Sequence, residues 1–149
     1  MKPLLAIALA VCVNTAQAGE WHGVVHGFSK HSNEYSNRTG RKWDETNYGL
    51  GLRFKQSSDV SYQAVFYQNS EHHTSAYAGI DWTPLHLGPF SAGVSGGIVT
   101  GYETAPVVPV ATLIVRVALT SRIDAMVRYL PPITPKMTSV AAIEASWRF

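Results

Sequence analysis

Apolar and polar residues alternate along most of this chain. In one segment Tyr48, Leu50, Leu52 and Phe54 are interleaved with Asn47, Gly49, Gly51, Arg53 and Lys55. In a second, Ala76, Ala78, Ile80 and Trp82 are interleaved with Tyr77, Gly79 and Asp81. Ile123, Ala125, Val127 and Tyr129 alternate with Asp124, Met126, Arg128 and Leu130, and Ile143, Ala145, Trp147 and Phe149 with Glu144, Ser146 and Arg148. A period of two is the signature of a strand with two unlike faces, and helical periodicity is nearly absent. The pattern predicts eight strands, at 23–30, 47–56, 61–68, 75–82, 90–100, 108–118, 123–130 and 139–149. Between them lie turn-forming runs: Ser57-Ser58-Asp59, Pro84 to Pro89, Ser121-Arg122 and Pro131 to Pro135.

Alternation does not by itself say which face points out. A soluble lipid-binding barrel would turn its apolar face inward, and a membrane barrel would turn it outward. Phe149 closes an alternating aromatic strand, and aromatics cluster near strand ends, as in the girdles of outer-membrane barrels. The expected fold is therefore all-β: an eight-stranded antiparallel up-and-down outer-membrane β-barrel, membrane-embedded and monomeric. With both termini periplasmic, 31–46, 69–74, 101–107 and 131–138 fall outside the cell. The turns at 57–60, 83–89 and 119–122 then face the periplasm.

The first residues set the compartment. Lys2 precedes an apolar run from Leu4 to Val13, and Ala16-Gln17-Ala18 has the small residues of a cleavage site. That reads as a secretory signal peptide over 1–18, with the barrel over 19–149. Val11 is too large for the residue before a lipid-modified Cys12. Removing 18 of the 149 residues leaves 131, enough for one domain, and takes away Lys2 and the single cysteine. What remains has 11 Lys and Arg against 10 Asp and Glu. Scattered, nearly balanced charge excludes a nucleic-acid binder, and no thiolate chemistry or disulfide is left. No cofactor and no metal is expected. Adjacent residues on a strand point oppositely, so Glu71-His72-His73 reads as a polar loop tip.

Candidate chemistry gathers at one rim. His31 ends the first strand, and Asn69 and Ser70 end the third. A serine needs a base to become a nucleophile, and histidine is the usual one. The same residues can equally be a turn opener and a solvated loop histidine. The upper lumen-facing positions include Gly49, Gly51, Tyr77, Gly79, Val99 and Val110, where small residues leave room for a ligand. Below them come Arg53, Lys55, Asp81, Arg116, Asp124, Glu144 and Arg148. Such charges could plug the barrel under a bound chain or fill a lumen that binds nothing. Pro106 and Pro109 face Pro131 and Pro132 across neighbouring strands, and residues without N–H cannot complete a ladder, so a lateral gap is one expectation there; ordinary loop proline is the other, and the preferred one for Pro132 and Pro135. Arg38, Arg41 and Lys42 form a basic loop suited to phosphates or to water.

Order and spacing add a resemblance. His31 is followed by a polar loop ending Trp43-Asp44-Glu45-Thr46-Asn47-Tyr48-Gly49-Leu50-Gly51. Then come Ala64-Val65-Phe66-Tyr67-Gln68-Asn69-Ser70, Ala78-Gly79 before Trp82, Leu85-His86-Leu87-Gly88, Phe90-Ser91-Ala92-Gly93-Val94, Pro106 to Pro109 and Tyr129-Leu130-Pro131. The series resembles the outer-membrane lipid A palmitoyltransferase family (PagP-like), as a divergent member, across essentially the whole exported chain. The resemblance implies transfer of a palmitoyl chain from a phospholipid acyl donor to lipid A as acceptor, in the outer membrane of a Gram-negative bacterium. It implies His31, Asn69 and Ser70 as catalytic residues and Gly49, Gly51, Tyr77, Gly79, Asp81, Val99 and Val110 around the acyl chain. Three departures stand out. Asn69 replaces an Asp, Asp81 occupies the position of a Gly at the cavity floor, and no amphipathic helix precedes the first strand. The competing function is a non-catalytic small outer-membrane barrel with a structural or adhesion role. A soluble periplasmic binding barrel is the third class.

Overall fold

The computed structural model describes residues 19–36, 39–102, 105–133 and 137–149. The proposed signal peptide with Cys12, as well as Arg38 and Pro135, lie outside these residues. Eight strands follow one another: β1 (Glu20–His31), β2 (Thr46–Lys55), β3 (Val60–Gln68), β4 (Thr74–Leu87), β5 (Phe90–Tyr102), β6 (Ala105–Ala118), β7 (Ile123–Leu130) and β8 (Val140–Arg148). Each pairs antiparallel with the next, and β8 pairs with β1 to close the barrel. Closure leaves no sheet edge, the condition for a β-structure in lipid.

The faces fall as the alternation predicts. Tyr48, Leu50 and Phe66 are about two-thirds or more exposed on the outside (72%, 67% and 68%), with Leu52, Ile80, Trp82, Val127 and Ile143 beside them. Arg53 (1%), Asp81 (0%) and Glu144 (2%) are buried inside. An apolar exterior around a charged interior is the inverse of a soluble barrel and suits a hydrocarbon surround. Among the described residues no helix is long and apolar enough to cross a membrane.

Three expectations change. β1 begins at Glu20 rather than 23. β4 does not stop at Trp82: it passes Pro84 through a bulge between Trp82 and Leu85 and ends at Leu87. The bulge accommodates the missing proline N–H. The predicted turn at 83–89 thus shrinks to Gly88-Pro89, where Gly88 adopts φ 57°. At the other end, β5 and β6 stay paired to Tyr102↔Ala105, so the expected loop at 101–107 is mostly strand.

A second bulge matters more. On β1, His22 and Val24 are buried, while Trp21 and Val25 are exposed. A regular strand through Gly27 would keep odd-numbered residues outside. The register shifts between His26 and Phe28 against both neighbouring strands. Beyond it Phe28 is exposed, and Ser29 and His31 are buried. Bulges re-aim side chains, and this one turns His31 into the lumen.

Candidate functional site: a rim dyad over a side-opening cavity

β1 delivers His31, and the turn after β3 delivers Ser70. Their side chains meet: His31 Nε2 lies 3.2 Å from Ser70 Oγ. Both residues are buried, at 7% and 8% exposure, so neither is a solvated loop residue. With Nε2 accepting the hydroxyl, the neutral ring carries its proton on Nδ1. Nδ1 is buried and has no hydrogen-bond partner. The imidazole stacks on Trp43, with centroids 4.5 Å apart and planes 10° apart. The loop bearing Trp43 is tied to the serine turn, because Asp44 N–H donates to the Ser70 carbonyl at 3.2 Å.

Asn69 does something other than orient the imidazole. Its Oδ1 accepts the backbone N–H of Glu71 and of His73, each at 2.9 Å. Its Nδ2 donates to Ser75 Oγ (3.0 Å) and to the Gly101 carbonyl (2.9 Å). All its bonding capacity goes into shaping the β3–β4 turn and tying it to β5. The expectation that Asn69 is a catalytic partner of His31 is corrected by this geometry: it is an organiser of the turn that presents Ser70.

Below the dyad lies a cavity of about 600 Å³. His31, Ser70, Trp43 and Asn47 line its polar side, and Val99, Val108, Val110, Ala111, Leu130 and Val140 its apolar side. Tyr77 lines it as expected, and Gln63, Arg128 and Glu144 close it below. Gly49, Gly51 and Gly79 are not in its wall, which corrects their assignment. A Cβ at Gly49 would collide with Tyr67, one at Gly51 with the Ala64 carbonyl and Val65, and one at Gly79 with the Tyr77 ring and hydroxyl. The absent side chains accommodate neighbouring ones that lean across the strands, and leave no ligand room. Asp81 is likewise outside the wall and sits in the charged layer beneath. Sequence reasoning missed His26, Tyr67 and Tyr102, which line the cavity too. Alternation on β3 with Gln63 and Val65 could have located Tyr67, whereas His26 lies beside the bulge, where parity breaks.

The charged layer is compact. Arg128 grips Asp81 with two bonds, Nη1–Oδ1 at 2.9 Å and Nη2–Oδ2 at 3.1 Å, and its Nε donates to Glu144 at 3.2 Å. Arg53 donates to Glu144, to Gln63 Oε1 at 2.9 Å and to Ser146 Oγ at 2.9 Å. Arg116 donates to Ser61 Oγ at 3.1 Å. Asp81 thus pairs with lumen arginines. Asp124 pairs more loosely, with Lys55 at 3.8 Å and His22 at 3.9 Å.

The wall is open on one side. β6 pairs with β5 along its length, but with β7 only from Leu113↔Tyr129 to Ala118↔Asp124. β7 ends at Leu130, ahead of Pro131 and Pro132, while 105–112 of β6, including Pro106 and Pro109, have no partner on that side among the described residues. The expected lateral gap is present, and Pro109, Ala111, Leu130 and Pro131 border the cavity there. On the outer loop, Lys42 is engaged by Glu34 at 2.9 Å, which holds the Lys42 ammonium above its ordinary range and the Glu34 carboxyl below its own. Among the described residues no three His, Cys, Asp or Glu side chains cluster to hold a metal.

Solved structures share this architecture. A de novo designed transmembrane β-barrel matches 91% of this chain and 98% of its own length at 12% identity, with a TM-score of 0.62. The designed barrel TMB2.3, solved by NMR, matches over the same shares at 12% identity and a TM-score of 0.65. Neisserial surface protein A matches 88% of this chain and 96% of its own at 12% identity and a TM-score of 0.34. No protein-family model matches the chain, and no curated protein matches it in sequence. At 12% identity the likeness to the designed barrels is one of fold. Fold, closure and inverted faces together define an eight-stranded barrel of the outer-membrane type. Its particular features are the serine–histidine pair at the rim and the side-opening cavity beneath.

Proposed function

We propose that the protein is an acyltransferase of the Gram-negative outer membrane, moving a palmitoyl chain from a glycerophospholipid to lipid A in the outer leaflet. The observation that carries this reading is the buried Ser70 Oγ–His31 Nε2 pair at 3.2 Å, at the mouth of an apolar cavity that opens sideways between β6 and β7. A lipid tail can slide into the cavity from the bilayer while its ester stays at the rim. Ser70 Oγ attacks the ester carbonyl as its proton passes to His31 Nε2. The bond from carbonyl to glycerol oxygen breaks, and that oxygen takes the proton and leaves as lysophospholipid. A lipid A hydroxyl then gives its proton to His31 as its oxygen attacks the acyl-serine carbonyl; the carbonyl–Oγ bond breaks, and His31 returns the proton to Ser70 Oγ. The enzyme works as a monomer, with no metal or cofactor in the step.

The resemblance to lipid A palmitoyltransferases supports the choice of donor and acceptor. The engagement of Asn69 in the turn favours a second reading, a non-catalytic small barrel with a structural or adhesion role. Mass spectrometry of lipid A from cells with and without the protein separates the two. Added mass equal to one palmitoyl group, lost in Ser70→Ala, is expected. Identical lipid A in wild type and deletion leaves the non-catalytic barrel as the better description.

A further inference from the structure

In a serine–histidine–carboxylate site the third group does two things: it fixes the imidazole and it stabilises the imidazolium that forms on proton transfer. Among the described residues no carboxylate is hydrogen-bonded to His31. Its Nδ1 is buried without a partner, and the amide of Asn69 is spent on Glu71, His73, Ser75 and Gly101. What His31 does have is Trp43, nearly parallel at 4.5 Å and 10°. We infer that Trp43 is the positioning residue of this site, holding the His31 ring by its face where other enzymes hold it by its edge. The inference rests on the serine–histidine reading above.

The physics of the stack covers both duties. A flat contact over a full indole face fixes the plane of the imidazole, leaving Nε2 directed at Ser70. When Ser70 gives up its proton, the new imidazolium lies over the indole π-face, where a cation is attracted to the ring quadrupole, most strongly for Trp. The loop is held for this purpose at two points. Trp43 N–H donates to the Glu34 carbonyl at 3.2 Å, and the neighbouring Asp44 N–H donates to the Ser70 carbonyl. Trp43 and Ser70 are therefore fixed to each other through backbone, with His31 between their side chains. The Trp43 indole N–H is itself buried without a partner, so no hydrogen bond at its edge explains its placement against His31.

Two measurements test this. The first is labelling of folded protein in detergent micelles with a long-chain alkyl fluorophosphonate, which reports Ser70 reactivity directly. Trp43→Phe keeps a stack and is expected within about threefold of wild type, whereas Trp43→Leu is expected to fall about 100-fold, the cost of a misplaced reacting group. Heat-modifiable migration on gels confirms that both are folded. The second is NMR of protein labelled at its six histidines, which needs no activity. The carbon-bound ring protons of His31 are expected upfield of the other histidines through shielding by the indole. They should stay shifted in Trp43→Phe and move downfield in Trp43→Leu. Equal loss of labelling in Phe and Leu variants, or an unshifted His31 in wild type, overturns the inference. If wild type and Ser70→Ala are both unlabelled, the catalytic reading fails, and the His31 spectrum still decides whether Trp43 holds the ring.

Discussion

The two halves of the lumen follow opposite rules. The lower half is filled with charge: Arg53, Arg128, Asp81, Glu144 and Gln63 are buried and bond one another, while both His22 ring nitrogens, Arg116 Nε and Asp124 Oδ2 beside them are buried without hydrogen-bond partners. The upper half is hollow. His31 Nδ1, Trp43 Nε1 and Thr112 Oγ1 are buried without partners, a cavity remains, and β6 has lost its neighbour on one side. The difference separates a half that holds the barrel together from a half that can act on a ligand.

Mutations on the two sides should therefore have opposite signatures. The largest effect is expected at the rim. Ser70→Ala and His31→Ala should each lower palmitoyl transfer from phospholipid to lipid A by at least about 1,000-fold in micelles, with unfolding by heat unchanged. Loss of folding together with activity would erase the contrast. The next is expected below. Glu144→Ala leaves Arg53, Arg116 and Arg128 to share the single carboxylate of Asp81 and should cost about 3–5 kcal/mol in unfolding by denaturant. At temperatures where that variant is folded, Ser70 labelling should persist.

A smaller effect falls between the halves. In Asn69→Asp, the donors to Ser75 and Gly101 vanish and a carboxylate faces the Gly101 carbonyl, so a cost of about 1–3 kcal/mol is expected, with no gain in rate. A faster enzyme would show that residue 69 acts on His31 after all. The smallest is expected at the β2–β3 turn. Asp59 accepts from Ser58 and His86, which hold its carboxyl below the usual range. A depressed carboxyl stabilises above its unfolded pKa and loses that contribution as pH falls. The pair is solvent-exposed, so Asp59→Asn should leave the melting temperature at neutral pH unmoved.

Much of the barrel was readable from alternation, because β2, β4, β7 and β8 each set at least one charged residue among the positions opposite a run of apolar ones. The parity of Arg53, Asp81 and Glu144 sufficed to place them inside. Parity failed where the backbone departs from a regular pleat. Gly27 gives no sign in the sequence that it adds a residue to β1, so nothing in the pattern of His26, Ser29 and His31 revealed which of them face inward. Pro84 read as the end of a strand because a bulge that absorbs a missing N–H is set by the partner strand. The glycines misled for a different reason: space beside Gly49, Gly51 and Gly79 is taken by residues on the next strand or two positions away. Asn69 was read as chemistry because a turn that consumes both ends of an amide is visible only once the turn exists.

The charged lower layer also bears on permeability. A slot open at one end and to the side would be a leak if water ran through to the other end. Arg53, Asp81, Arg128 and Glu144 lie across the interior with side chains bonded to each other, a layer expected to obstruct hydrated ions. The protein in a planar bilayer should be electrically silent, and a Glu144 or Arg128 truncation should be the variant that first carries current. Closing the lumen beneath an open pocket is a task such a plug performs whatever the pocket binds.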